Sequence, residues 1–203
     1  MEISELFTKG GAVMYLLALS SVVVITIGIE RLVFYHYAGN NAEQFLESLQ
    51  TNLRGGKELN KVADFCHGEK NLLGAVAFAG VLAAIRGENV EVALDMAFSE
   101  SAMKLRARLN YLSTIVTLSP LLGLLGTIAG MIEAFNIFNL QAGQPLAITG
   151  GIGEALIATA TGLCVAIFAL IVHTYFSQRL DEMLSQLEKT ASIVLGTIGG
   201  KVK

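Results

Sequence analysis

Three stretches of this 203-residue chain carry no charged residue over a length that can cross a bilayer. They are residues 10–29 (GGAVMYLLALSSVVVITIGI), residues 109–132 (LNYLSTIVTLSPLLGLLGTIAGMI) and residues 155–178, with Glu154 at the outer edge of the third. A spanning helix takes roughly 20 apolar residues. In lipid its backbone must satisfy its own hydrogen bonds, which leaves a helix or a closed barrel. Unbroken apolar runs of this length predict helices, so the fold expected is all-α, with three membrane spans. Only 15% of the residues are charged, and the mean hydropathy is +0.60; soluble domains are about a quarter charged. A fourth apolar run, residues 71–85, is too short to span and is expected to pack as a core or interfacial helix. The opening MEISELFTK is acidic, and no small-x-small cleavage site follows. The first span is therefore expected to be retained rather than removed as a signal.

Charge sets the expected orientation. Residues 30–108 carry nine Lys and Arg, and the tail after the third span carries four more. The loop between the second and third spans, residues 133–153, carries none, and the N-terminus carries only Lys9. The positive-inside rule places the long loop, with Cys66, and the tail in the cytoplasm. Four regions follow: 1–30, a periplasmic N-terminus and first membrane helix; 31–108, a cytoplasmic helical region; 109–178, the second and third membrane helices as a channel core; and 179–203, a cytoplasmic C-terminal helix.

The polar part reads as helical. In residues 88–112 Val92, Met96, Met103 and Leu105 recur near helical spacing between charges. No Gly or Pro separates this segment from the second span, which predicts one helix from residue 88 to about 135. The third span continues as SQRLDEMLSQLEKTASIVL (177–195), so long helices are expected to extend into the cytoplasm. Gly55-Gly56 marks a turn.

The second span has one face of small and hydroxyl residues. Ser119, Gly123, Gly126, Thr127 and Gly130 fall within about 100° of each other around the helix. Such stripes let membrane helices approach closely, which makes Gly123, Gly126, Gly130, Ser119 and Pro120 candidates for helix packing. Pro120 is expected to kink the helix. Thr127 can bond back to its own helix or face a polar path. In the third span Glu154 and Thr161 lie about 20° apart around the helix, whereas Thr159 is about 140° from Glu154. Thr159 therefore meets a different neighbour, unless the glycine-rich start of the helix is irregular. A carboxyl at the membrane is costly and functional by default. A glutamate merely wetted at the interface is the plainer alternative.

Other chemistries find little footing. His173, Ser177 and Asp181 stack along one helix rather than converging on a reacting carbonyl, and no hydrolase, zinc-protease or nucleotide-loop motif is present. Cys66 and Cys164 fit no metal or redox spacing, and no basic stripe marks nucleic acid. No enzymatic activity, catalytic residue, metal or cofactor is expected.

Three segments together resemble the MotA/TolQ/ExbB proton channel family, in its ExbB/TolQ branch: IERLVF (29–34), SPLLGLLGTIAGMIEAF (119–135) and GIGEALIATATGLCVAI (151–167). The resemblance implies a homo-oligomer, a pentamer, around a single-span ExbD/TolR-like partner in the bacterial inner membrane. It also implies proton-driven work on the envelope through a TonB- or TolA-like protein. It assigns the channel carboxylate to Glu154 and path hydroxyls to Thr127 and Thr159; the spacing from Glu154 adds Thr161. The chain departs from many relatives at Phe168, where a proline is frequent, and at Thr161, where an aliphatic residue is. A sodium-driven or flagellar-stator-like homologue and a non-conducting membrane scaffold are the alternatives.

Overall fold

The computed structural model describes residues 11–39, 41–69, 71–140 and 145–198; the side chains of residues 137–149 and of Glu154 are outside the described set. Seven helices carry the described residues: α1 Gly11–Ala38, α2 Ala42–Arg54, α3 Leu59–Gly68, α4 Leu72–Arg86, α5 Val90–Arg106, α6 Leu109–Leu140 and α7 Pro145–Ile198. No strand occurs among them. Three stretches are long and apolar enough to cross a membrane, one each within α1, α6 and α7. The chain divides into two compact units, residues 1–29 with 108–175, and residues 30–107 with 176–203.

In the first unit α6 and α7 run antiparallel with small residues between them. Gly151 faces Ala134, Gly130 faces Ala155, Gly126 faces Ala158 and Gly162 faces Ser119. The first span lies on the same pair, with Val13 at Gly126 and Gly28 at Val172. Many large apolar side chains point outward: Leu16, Leu19, Val22 and Ile25 on α1, Leu121, Leu124 and Leu125 on α6, Leu163, Ile167 and Ile171 on α7; Leu17, Val24 and Leu112 are buried. This distribution suits lipid, where exposing leucine costs nothing and close backbone packing supplies the attraction.

The second unit is built the opposite way. Its centre is α4, the short apolar run expected as a core helix, and it is one: Leu73, Val76, Ala77 and Val81 are fully buried. The Asn71 side chain caps α4 by accepting from the Gly74 N–H at 2.8 Å. Gly87, at φ 71, ends the helix in the left-handed conformation that glycine tolerates. Helix α2 turns Ala42, Phe45, Leu49 and Leu53 inward at helical spacing, and Phe45 stacks on Phe65 of α3. The Gly55-Gly56 turn separates these two helices as expected, with Gly56 at φ 69.

One expectation is corrected in α5. The segment from residue 88 to 135 is not one helix. Ala107 is extended (φ −53, ψ 139) and Arg108 is left-handed at φ 67, so α5 stops and α6 starts anew. A non-glycine residue held there costs of order 1–3 kcal/mol. Tertiary hydrogen bonds account for the stop: Arg31 Nη1 donates to the Lys104 carbonyl at 3.0 Å, and the Tyr35 hydroxyl donates to the Leu105 carbonyl at 2.9 Å. Arg31 is buried, and Tyr35 stacks on Phe176. The last-turn carbonyls of α5 thus have partners outside their helix. Leu105 is buried, but Val92, Met96 and Met103 are exposed; Val90, Leu94 and Ala102 face the core instead.

Candidate functional site

Pro145–Ile198 is one helix, so Glu154, Thr159 and Thr161 share an axis. Glu154 lies three residues after the glycine pair 150–151; its side chain is outside the described residues. Five residues further on, Thr159 Oγ1 donates to the Gly123 carbonyl of α6 at 2.9 Å. This is the different neighbour that the angle from Glu154 called for. The bond is possible because Gly123 has no side chain: a Cβ there would stand 3.0 Å from Thr159 Cα and 3.1 Å from the Ala158 carbonyl oxygen. Backbone meets backbone at this level, and the hydroxyl bridges the two helices.

Thr161 takes a local bond, donating to the Ile157 carbonyl at 2.8 Å. Thr127 likewise donates to the Leu124 carbonyl at 2.7 Å. Neither threonine reaches Gly123, so the structure does not gather the three into one cluster. Thr159 joins α6 to α7 through a side-chain hydrogen bond. Gly126 and Gly130 sit against the methyls of Ala158 and Ala155, where a Cβ would approach to 2.6 and 2.9 Å. Ser119 is fully buried on the same face. Pro120 lies inside α6, which remains helical through it.

The seam is therefore narrow, nearly all backbone and small side chains, with hydroxyls as its polar groups. Hydroxyls on such a surface can hold water or coordinate a small cation. No three His, Cys, Asp or Glu side chains gather as a metal-binding group among the described residues. Sequence reading missed the partner of Thr159. The angular offset showed that the residue turned away from Glu154, but only packing could name a carbonyl on another helix.

Comparison with known proteins identifies the lineage. The profile of the MotA/TolQ/ExbB proton channel family matches residues 69–189, covering α4, α5, α6 and most of α7. An ExbB-like biopolymer transport protein of Synechocystis is 34% identical over 185 residues, covering 86% of this chain and 72% of the relative. The Tol-Pal system protein TolQ of Pseudomonas aeruginosa is 38% identical over 100 residues, 49% of this chain and 43% of TolQ. The ExbB biopolymer transport protein of Xanthomonas campestris is 34% identical over 107 residues, 52% of this chain and 42% of ExbB. The chain thus spans less than half the length of the last two relatives. Matched from its short core helix through the hydroxyl-lined seam, this chain belongs to the MotA/TolQ/ExbB proton channel family.

Proposed function

We propose that the chain is the channel-forming subunit of an ExbB/TolQ-type motor in the bacterial inner membrane. It oligomerises, as a pentamer, around an ExbD/TolR-like single-span partner. Ion flow past Glu154 moves that partner, which energises envelope work through a TonB- or TolA-like protein. The chain does this by ion passage and not by making or breaking bonds in a substrate. The observation that carries the reading is the Thr159 hydroxyl bound to the Gly123 carbonyl, a polar bridge within the third apolar span on the helix that carries Glu154. Its relatives' names, biopolymer transport and Tol-Pal system, support the class of work.

The driving force would be the membrane potential, about 2.3 kcal/mol per charge per 100 mV. A carboxyl at the membrane can bind and release the coupling proton, and hydroxyls can carry water between such events. Glu154→Gln keeps the size of the side chain but cannot titrate. Expression and oligomer size should stay unchanged, while ion-driven envelope work at matched protein level falls to background. Full activity in that variant would falsify the channel reading and leave the scaffold. Collapse of the oligomer would instead give the carboxylate an assembly role.

The charge distribution puts residues 30–107 and 176–203 on the cytoplasmic side in this reading. Cys66 is a poor reporter of that orientation, because it is buried. Burial and the neighbouring Glu69 push its thiol up to about 12, so little thiolate forms near neutrality. Glu58 is well exposed in the same unit. A Glu58→Cys variant lacking Cys66 and Cys164 should resist an impermeant maleimide in intact cells and react after permeabilisation. Labelling from outside would reverse the topology.

A further inference from the structure

Of the hydroxyls of Ser119, Thr127, Thr159 and Thr161, three have committed their hydrogen. Thr127 donates to Leu124, Thr159 to Gly123 and Thr161 to Ile157. Ser119 differs. It is 0% exposed, and its Oγ has no hydrogen-bond partner among the described residues. Elsewhere in the membrane unit Ser20 and Thr26 donate to the carbonyl one turn back; Ser119 does not. Buried polar groups are nearly always paired, and one left unpaired is costly.

A second group in the same turn lacks its i+4 helical donor for a covalent reason. Pro120 follows Ser119 inside α6 and has no N–H. The Val116 carbonyl therefore has no donor from position i+4. In membrane helices such freed carbonyls are met by ordered water or neighbouring hydroxyls. Across the seam stands Gly162, where a Cβ would lie 2.6 Å from the Ser119 carbonyl oxygen and 3.0 Å from Gly123 Cα. The Gly162 backbone thus packs directly against the turn that holds Ser119.

We propose that the Ser119 hydroxyl and the Val116 carbonyl hold one water molecule in the seam, which extends the polar path one helical turn beyond the Thr159–Gly123 bridge, on the side away from Glu154. The proposal rests on the channel reading. Its chemistry is that of a relay. A hydroxyl whose hydrogen is free donates and accepts at once, whereas one already bound to a carbonyl offers only lone pairs. A water on Ser119 donates one hydrogen to the Val116 carbonyl and exchanges the other with the hydroxyl. Ser119 is thus a positioning residue for ion passage, not a filler of the packing stripe.

The two roles predict opposite behaviour of Ser119→Ala. If the residue only packs, removing an unpaired hydroxyl leaves ion flow untouched. If it holds a relay water, flow falls while the fold is unharmed. Proton uptake is measured with a pH-sensitive dye in membrane vesicles from cells making the full-length chain with its single-span partner. Thermal stability and oligomer size of the purified complex are measured alongside. Ser119→Ala should slow uptake by about three- to tenfold, the scale of one hydrogen bond, with the oligomer intact and the Tm unchanged or higher. Wild-type uptake overturns the proposal, and so does slower uptake that comes with a lower Tm or a lost oligomer. Glu154→Gln, run in parallel, separates the two ideas. If it abolishes uptake while Ser119→Ala does not, the channel stands and the Ser119 water falls. If it leaves uptake intact, the channel reading itself fails.

Discussion

The two units of this chain solve opposite packing problems. In the unit of residues 30–107 and 176–203 the interior is leucine, valine and phenylalanine, and the surface is charged. In the membrane unit the α6–α7 seam is glycine, alanine, serine and threonine, and most leucines face out, while Leu17, Leu109 and Leu112 are buried. Water drives the first by expelling apolar surface. Lipid offers no such drive, so the second relies on backbones brought close enough for dispersion and a few hydrogen bonds. The same residue type therefore carries different weight in the two places, and substitutions can measure how far that contrast holds.

The largest expected effect is a leucine swap. Leu73→Ala, at a fully buried position of α4, should destabilise the chain by about 2–5 kcal/mol. Leu163→Ala removes as many atoms from an exposed site on α7 and should change thermal stability in a bilayer by no more than about 0.5 kcal/mol. Similar losses at both positions would mean that Leu163 is covered in the assembly.

Glycines should sort the other way. A Cβ on Gly162 would lie 2.6 Å from a backbone oxygen, which cannot swing aside. On Gly80 it would meet Leu94 Cδ2 at 2.6 Å and Val194 Cγ1 at 2.9 Å, both side-chain atoms. Gly162→Ala should cost about 1–3 kcal/mol through overpacking, and Gly80→Ala less, as leucine and valine shift. Unfolding midpoints of the purified protein decide; equal costs would show that the α4 core is as unyielding as the seam.

The smallest effect expected is on the Thr159 bridge. Interhelical hydrogen bonds in membranes average about 0.6 kcal/mol, so Thr159→Val should barely move the Tm. A drop comparable to that of Gly162→Ala would mean that this bond, rather than close packing, holds α6 to α7.

The membrane unit was legible wherever the signal was local. Span positions follow from charge-free length, and the angular stripe on α6 identified Gly123, Gly126 and Gly130 as one face. What faced that face was not legible, because carbonyls are common to every residue and only packing selects Gly123 for Thr159. The short helix α4 was readable from its length and apolarity. The stop at Ala107–Arg108 was hidden because no glycine or proline marks it. Its cause lies some 70 residues away, in Arg31 and Tyr35. Val92, Met96 and Met103 fit a helical period, yet Val90, Leu94 and Ala102 fit one also; periodicity alone did not choose the buried set. Glu154 was singled out by its chemistry, and its side chain lies outside the described residues.

The committed hydrogens of Thr127, Thr159 and Thr161 have a consequence for charge selection. A hydroxyl that has already given its hydrogen to a carbonyl shows its neighbours only electron pairs. Along these helices the three threonines are small negative poles fixed to a rigid backbone. A visitor bringing hydrogens or positive charge, such as hydronium, water or a bare alkali cation, is welcomed at each of them. Chloride finds no donor there. In the channel reading proposed above, these three hydroxyls favour cations over anions.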